Sequence, residues 1–127
     1  MAIHYNLAKV YAISDDDKDF VLQIVKLFVE EVPLDVKQIK EGINAKDYDH
    51  AYGYAHKINP TLSLLGMEAA HDEILQIEQW AKNKGKKKEI KEIYKSMSGR
   101  IDLALSEIKK IIVYIRYKTM IIIKKTA

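Results

Sequence analysis

Residues 47–66 read Asp47-Tyr48-Asp49-His50-Ala51-Tyr52-Gly53-Tyr54-Ala55-His56-Lys57-Ile58-Asn59-Pro60-Thr61-Leu62-Ser63-Leu64-Leu65-Gly66. At about 100° of turn per residue, Tyr48, Ala51, Tyr52, Ala55, Ile58, Leu62 and Leu65 gather on one helical face, and that face is a core face. Asp47 is placed to cap the helix. His56 falls just beyond the edge of the apolar face, with Gly53, Pro60 and Ser63 as its neighbours one turn back, one turn on and two turns on. All three are small or compact, so another protein surface can reach the imidazole. Lys57 follows directly and carries a positive charge on the solvent side.

An exposed imidazole between small residues has a definite chemistry. An unperturbed histidine titrates around pH 6.5, so near neutrality a ring nitrogen is available as a nucleophile. It can accept a phosphoryl group and, because imidazole is also a competent leaving group, pass it on. A nearby ammonium offsets negative charge developing on the phosphoryl oxygens. Nothing in the stretch activates water or binds ATP, which makes a phosphate carrier loaded and unloaded by other proteins the natural reading.

Ala55-His56-Lys57-Ile58, a polar pair, small or apolar positions and Gly66 ten residues after the histidine together resemble the signature of the histidine-phosphotransfer (HPt) domain. The resemblance extends from about Asn6 to Ile112 in helix order and spacing. It implies that His56 is the phosphorylated histidine, that Lys57 lies on a commonly basic position, and that Gly66 is the glycine ending the signature. It further implies a carrier between receiver domains of hybrid sensor kinases and response regulators, with Mg²⁺ held by the receiver and no cofactor bound by this chain.

Two positions depart from that pattern. Where the family has Lys three residues after the histidine and Gly four after, this chain has Asn59 and Pro60. Asn59 is a candidate to hydrogen-bond a phosphoryl oxygen in the lysine's place. Pro60 lacks the N–H that would bond the His56 carbonyl, and its ring crowds that carbonyl, at a local cost of about 3 kcal/mol. The stretch then either continues as one kinked helix, the reading preferred here, or restarts with Asn59 as cap and Pro60 at the first helical position. Gly53, Pro60, Ser63 and Leu64 form the candidate receiver-docking surface, with Leu64 expected on the outer face as an apolar contact.

Before this stretch, Asn6 to Ile13 reads as a short leading helix, and Ser14-Asp15-Asp16-Asp17 as an N-terminal cap. From Asp17 to Ile43 a long helical pattern sets Phe20, Ile24, Leu27, Phe28 and Glu31 along one ridge, joined by Val21, Val25, Val32, Val36 and Ile39. Pro33 is expected to bend that helix without ending it. After Gly66, Met67, Ala70, Ile74, Ile77 and Ala81 restart the pattern to about Lys84, with Leu75 widening the stripe and Trp80 covering a core edge. Gly85 and Lys86-Lys87-Lys88 make a turn. Ile90, Ile93, Tyr94, Met97, Ile101, Ala104, Leu105, Ile108 and Ile112 line the final helix. The fold class is therefore all-α: an antiparallel four-helix bundle with a short N-terminal helix. It is one domain over 1–127, with its core at about 6–112. The tail 113–127 is dense in β-branched residues and suits a strand or extended arm, with helix continuation to about Lys118 as the alternative.

Composition bounds the remaining choices. A chain of 127 residues, 48% hydrophobic and 31% charged, can form one core and stay in solution. The absence of cysteine removes disulfide and thiolate-metal schemes. The first residues lack a basic region followed by an apolar run, and no stretch has the length of a membrane span, so a cytoplasmic monomer is expected. The net charge of +3 is mild. The lysine run from Lys82 to Lys95 is interrupted by Glu89 and Glu92, which reads as a solvated face and not a nucleic-acid surface.

Two rival readings have residues behind them. Asn59-Pro60 fits a receiver-binding pseudo-HPt module that takes no phosphate. Glu68-x-x-His71 has the spacing of di-iron bundles but lacks a second such pair, so no metal site is assigned. Autokinase activity is not expected, because no Gly-rich nucleotide loop is present. His4, His50 and His71 are read as surface residues, and Tyr48, Tyr52 and Phe28 as core.

Overall fold

The computed structural model describes Tyr5 and residues 18–126. Four helices follow in order: α1 Lys18–Ala45, α2 Tyr48–Leu64, α3 Glu68–Lys82 and α4 Lys87–Thr126. Each packs on the next, and α4 closes against α1, so the described residues form an antiparallel four-helix bundle without strands. The expected leading helix Asn6–Ile13 and the cap at Ser14 lie outside the described residues. Among the described helices none is long and apolar enough to cross a membrane.

The core is drawn from one stripe of each helix. α2 contributes Ala51, Ala55, Ile58 and Leu62, and α3 contributes Ala70, Ile74 and Ile77. Met97, Ile101, Ala104, Leu105 and Ile108 come from α4. On α1 the buried stripe is Val21, Val25, Phe28, Val32, Val36, Ile39 and Ile43. This corrects the ridge drawn from sequence, because Phe20 and Leu27 are 37% and 48% exposed and Glu31 faces solvent. The β-branched valines one position on pack inward instead. Leu75 is likewise exposed, and Trp80 is buried: its indole N–H donates to the Lys86 carbonyl and its ring meets Tyr48.

Short joints hold the helices in register. α1, α2 and α3 all end in the same double hydrogen bond. Asp47 N bonds Gly42 O while Lys46 N bonds Ile43 O; Met67 bonds Leu62 while Gly66 bonds Ser63; Gly85 bonds Trp80 while Lys84 bonds Ala81. This is the Schellman arrangement, which needs a left-handed residue at its pivot. The pivots are Lys46, Gly66 and Lys84, with φ of 55°, 67° and 50°. Only one of the three is glycine. Gly42 serves another purpose: a Cβ there would lie 2.8 Å from the Ala51 backbone nitrogen, so its absence lets α1 and α2 touch.

Two expectations about helix continuity are resolved. α2 runs through Pro60 as one helix, with no restart at Asn59, and Asp47 caps it by accepting from the His50 N–H at 3.1 Å. α1 likewise continues through Pro33. The strand or extended arm expected beyond Ile112 is a correction, because α4 continues as helix to Thr126. Helix nucleation is the costly step, and a segment attached to an established helix adds residues without it. That advantage outweighs the β propensity of the isoleucines, which depends on a sheet to pack against.

Candidate functional site

His56 stands on α2 with its side chain 64% exposed, one turn after Tyr52 and just outside the buried stripe of Ala55 and Ile58. Beside it Gly53 leaves open space, since a Cβ added there meets nothing within 4 Å. The ring is nevertheless held. Its Nδ1 lies 3.0 Å from Glu78 Oε1 on α3, and it stacks on Tyr52 with centroids 5.5 Å apart and planes 9° apart. Glu78 is a carboxylate buried to 8% exposure. An ionised carboxylate only accepts, so Nδ1 carries the proton and the exposed Nε2 keeps its lone pair.

Glu78 is fixed in turn. Its Oε2 accepts from Asn59 Nδ2 at 2.7 Å, and Asn59 Oδ1 accepts from His71 Nε2 at 2.7 Å. Every donor and acceptor in the series His56–Glu78–Asn59–His71 agrees with its neighbour when His71 carries its proton on Nε2. The chain crosses three times between α2 and α3, so the packing of these two helices sets the orientation of the imidazole. Among the described residues no buried side-chain nitrogen or oxygen is left unpartnered.

Several residues singled out by sequence take different places from those expected. The amide of Asn59 is engaged on both sides, buttressing Glu78 and His71, and is not held out toward the space above His56. The ammonium of Lys57 turns to α1, where it donates to Asp35 Oδ1 at 3.0 Å; Asp35 is buried to 4% exposure. Hydrogen bonding to Asp35 raises the Lys57 pKa above its ordinary value against an opposing desolvation, with the charges of Asp35 and Glu31 adding to the rise. Gly53 and Pro60 are exposed, as a docking surface requires. Ser63 is half-buried, and Leu64 is also half-buried against the core, which corrects its placement on the outer face.

Other residues gain roles that sequence reading missed. Glu78 and His71 belong to the site, and Tyr52, read as core, is half-buried and forms the stacking wall. Lys82 places its ammonium 5.2 Å from the centroid of the Tyr52 ring on which His56 stacks. His50 is not a free surface residue either: its Nε2 meets Gln38 Oε1 at 2.9 Å. In the Glu68-x-x-His71 pair the His71 ring is turned to Asn59 and Glu68 is exposed. Among the described residues no group of three or more potential ligands converges.

The family model described as Hpt domain matches residues 23–110. Among solved structures, the chain is similar to the HPT domain from the Hpt sensor hybrid histidine kinase from Shewanella. The TM-score is 0.76 at 14% identity, covering 87% of this chain and 95% of the other. At that identity the likeness establishes the fold and no more. No curated protein sequence matches the chain. The family match spans α1 from its second turn, all of α2 and α3, and the bundled part of α4, and therefore includes every residue of the His56 site. The chain belongs to the Hpt domain family, and its broad role is histidine phosphotransfer in two-component signalling.

Proposed function

We propose that His56 is the phosphoacceptor of a phosphorelay, taking a phosphoryl group from one receiver-domain aspartate and giving it to another. The observation that carries this reading is an exposed imidazole whose Nδ1 is tied to a buried carboxylate, leaving Nε2 as its outward nucleophile. In the forward step Nε2 bonds to phosphorus as the aspartyl P–O bond breaks, and the electron pair leaves with the aspartate carboxylate. The ring becomes cationic, with its proton still on Nδ1. Glu78 faces that new positive charge at hydrogen-bond distance and stabilises the loaded state. In the return step the N–P bond breaks toward the second aspartate, and the ring leaves neutral.

The remaining groups support the transfer. Tyr52 and the Glu78–Asn59–His71 chain hold the ring in one plane, which lowers the entropy lost on reaching an in-line geometry. Lys82, and Lys57 when a phosphoryl group competes with Asp35, draw the anionic receiver site toward α2. The receiver brings Mg²⁺ with its own acidic cluster, so this chain needs no bound cofactor. Gly53 and Pro60 allow close approach. Leu75 on α3 and Leu34 on α1, 44% and 64% exposed, provide apolar contacts on either side of the histidine helix. The chain acts as a monomeric cytoplasmic carrier without kinase activity of its own.

The test is incubation with a radiolabelled phospho-receiver, comparing the native chain with His56→Gln. Label on the native chain that is acid-labile and alkali-stable, and absent from the variant, is the expected result. Receiver binding without label would reduce the protein to a docking module; Asn59 at the position of the family's lysine is the feature that favours that second reading.

A further inference from the structure

On the seam between α1 and α4, away from the α2–α3 seam that holds His56, lies a half-open groove of about 740 Å³. Its floor is apolar. Ile43 is buried, and Tyr94 presents its half-buried ring while its hydroxyl donates to the Val36 carbonyl at 3.2 Å. Its rim is cationic: Lys40 on α1, and Lys87, Lys88, Lys91 and Lys95 on α4, against one carboxylate, Asp102. Gly99 leaves the far end open, since a Cβ there meets nothing within 4 Å.

These lysines are poorly placed for stability alone. Lys87, Lys91 and Lys95 follow at four-residue intervals, where like charges repel. Lys87 and Lys88 occupy the first turn of α4, the positive end of the helix dipole. None of the five makes an ion pair among the described residues, whereas Lys57 and Arg100 are paired with Asp35 and Glu73. A bound anion would remove all three disadvantages together. The volume lies in the range of small-molecule sites, about 300–1,000 Å³. The three stacked lysines span just over two helical turns, about 12 Å, the length of a short phosphate chain and not of an extended polymer.

We propose that this groove binds a nucleoside di- or triphosphate. The phosphates lie along Lys87, Lys91 and Lys95 with Lys40 opposite, and the base rests on Ile43 and the Tyr94 ring. No bond is made or broken there. The ligand occupies a face distinct from the His56 surface, so it binds whether or not His56 carries phosphate.

The experiment is a titration of the full chain at about 100 mM salt, followed by calorimetry and by NMR. The probes are ATP, pyrophosphate, adenosine and a short single-stranded oligonucleotide. ATP is expected to saturate and to shift the Ile43 methyl and the Ser98 and Gly99 amides. Pyrophosphate is expected to bind at least tenfold more weakly without moving the Ile43 methyl, and adenosine not to saturate. Lys91→Ala combined with Lys95→Ala is expected to weaken ATP at least tenfold while leaving the melting temperature equal or higher, because a repulsion is removed. His56→Gln is expected to leave ATP affinity unchanged, so the groove and the relay succeed or fail separately. Failure of ATP to saturate, equal loss on replacing Lys124 and Lys125 outside the groove, or tighter binding of the oligonucleotide than of ATP would each overturn the proposal.

Discussion

Replacing Glu78 by Gln keeps the size of the side chain but removes its charge and one of its two acceptors. The amide NH₂ must then face either His56 Nδ1 or Asn59 Nδ2, both of which donate in the native arrangement. Facing His56, it drives the imidazole proton to Nε2 and occupies the nucleophile. Facing Asn59, it forces that amide to flip and sets its NH₂ against His71. Hydrogen bonds to charged groups contribute about 1.5–3 kcal/mol. The His56 side chain is 64% exposed, so water screens part of this and the figure falls toward that of a surface pair. About 1–2 kcal/mol remains, which corresponds to roughly 5–30-fold in rate. Transfer from a phospho-receiver to Glu78→Gln is expected to slow by that factor, and the phosphohistidine to lose lifetime because its cationic ring lacks a counter-charge. Rapid-quench labelling measures the first, decay of isolated label the second, and ¹⁵N shifts of the imidazole report the tautomer. Rates and lifetime within twofold of the native chain, with the proton still on Nδ1, would refute the role given to Glu78.

Four further outcomes follow from the fold. Pro60→Ala restores the hydrogen bond to the His56 carbonyl and is expected to raise stability by up to about 3 kcal/mol; an unchanged or lowered denaturation midpoint would contradict it. Gly42→Ala drives a methyl into the Ala51 backbone and is expected to cost about 1–3 kcal/mol in urea unfolding, because backbone cannot yield as a flexible side chain can. Lys46→Gly relieves a left-handed non-glycine residue and is expected to gain about 0.5–1 kcal/mol, visible as a melting temperature a few degrees higher. The Lys57 pKa is raised on folding, so its pairing with Asp35 contributes fully below the ordinary lysine value of 10.5 and is lost as pH climbs through the raised value. The stability gap between the native chain and Lys57→Met is therefore expected to stay constant through neutral pH and to narrow only in strong alkali, which melts across a pH series would show.

The histidine helix was legible because its information is local. The 3.6-residue period fixed the buried stripe of Ala51, Ala55, Ile58 and Leu62, put His56 at its margin, and identified Asp47 as the cap. Glu78 was not legible. It lies 22 residues from His56, and α3 offers Glu68, Asp72, Glu73 and Glu78 without any mark of which one meets α2. Only the rotation of α3 about its axis, set by the burial of Ile74 and Ile77, selects it. Asn59 and Lys57 follow the same pattern: their helical faces are local information, but the partners Glu78 and Asp35 on neighbouring helices decide which way each side chain turns. In α1 the abundance of apolar residues left the phase ambiguous, and the ridge was drawn one residue early.

The three inter-helix joints are two, three and four residues long, and each is fastened by paired main-chain bonds. Joints this short and doubly bonded oppose any swivel of α2 that would withdraw or advance its imidazole. The molecule behaves as a stiff peg with its reactive atom at a set height and bearing. In the proposed relay, shape adjustment during an encounter then falls to the visitor, which meets one set geometry.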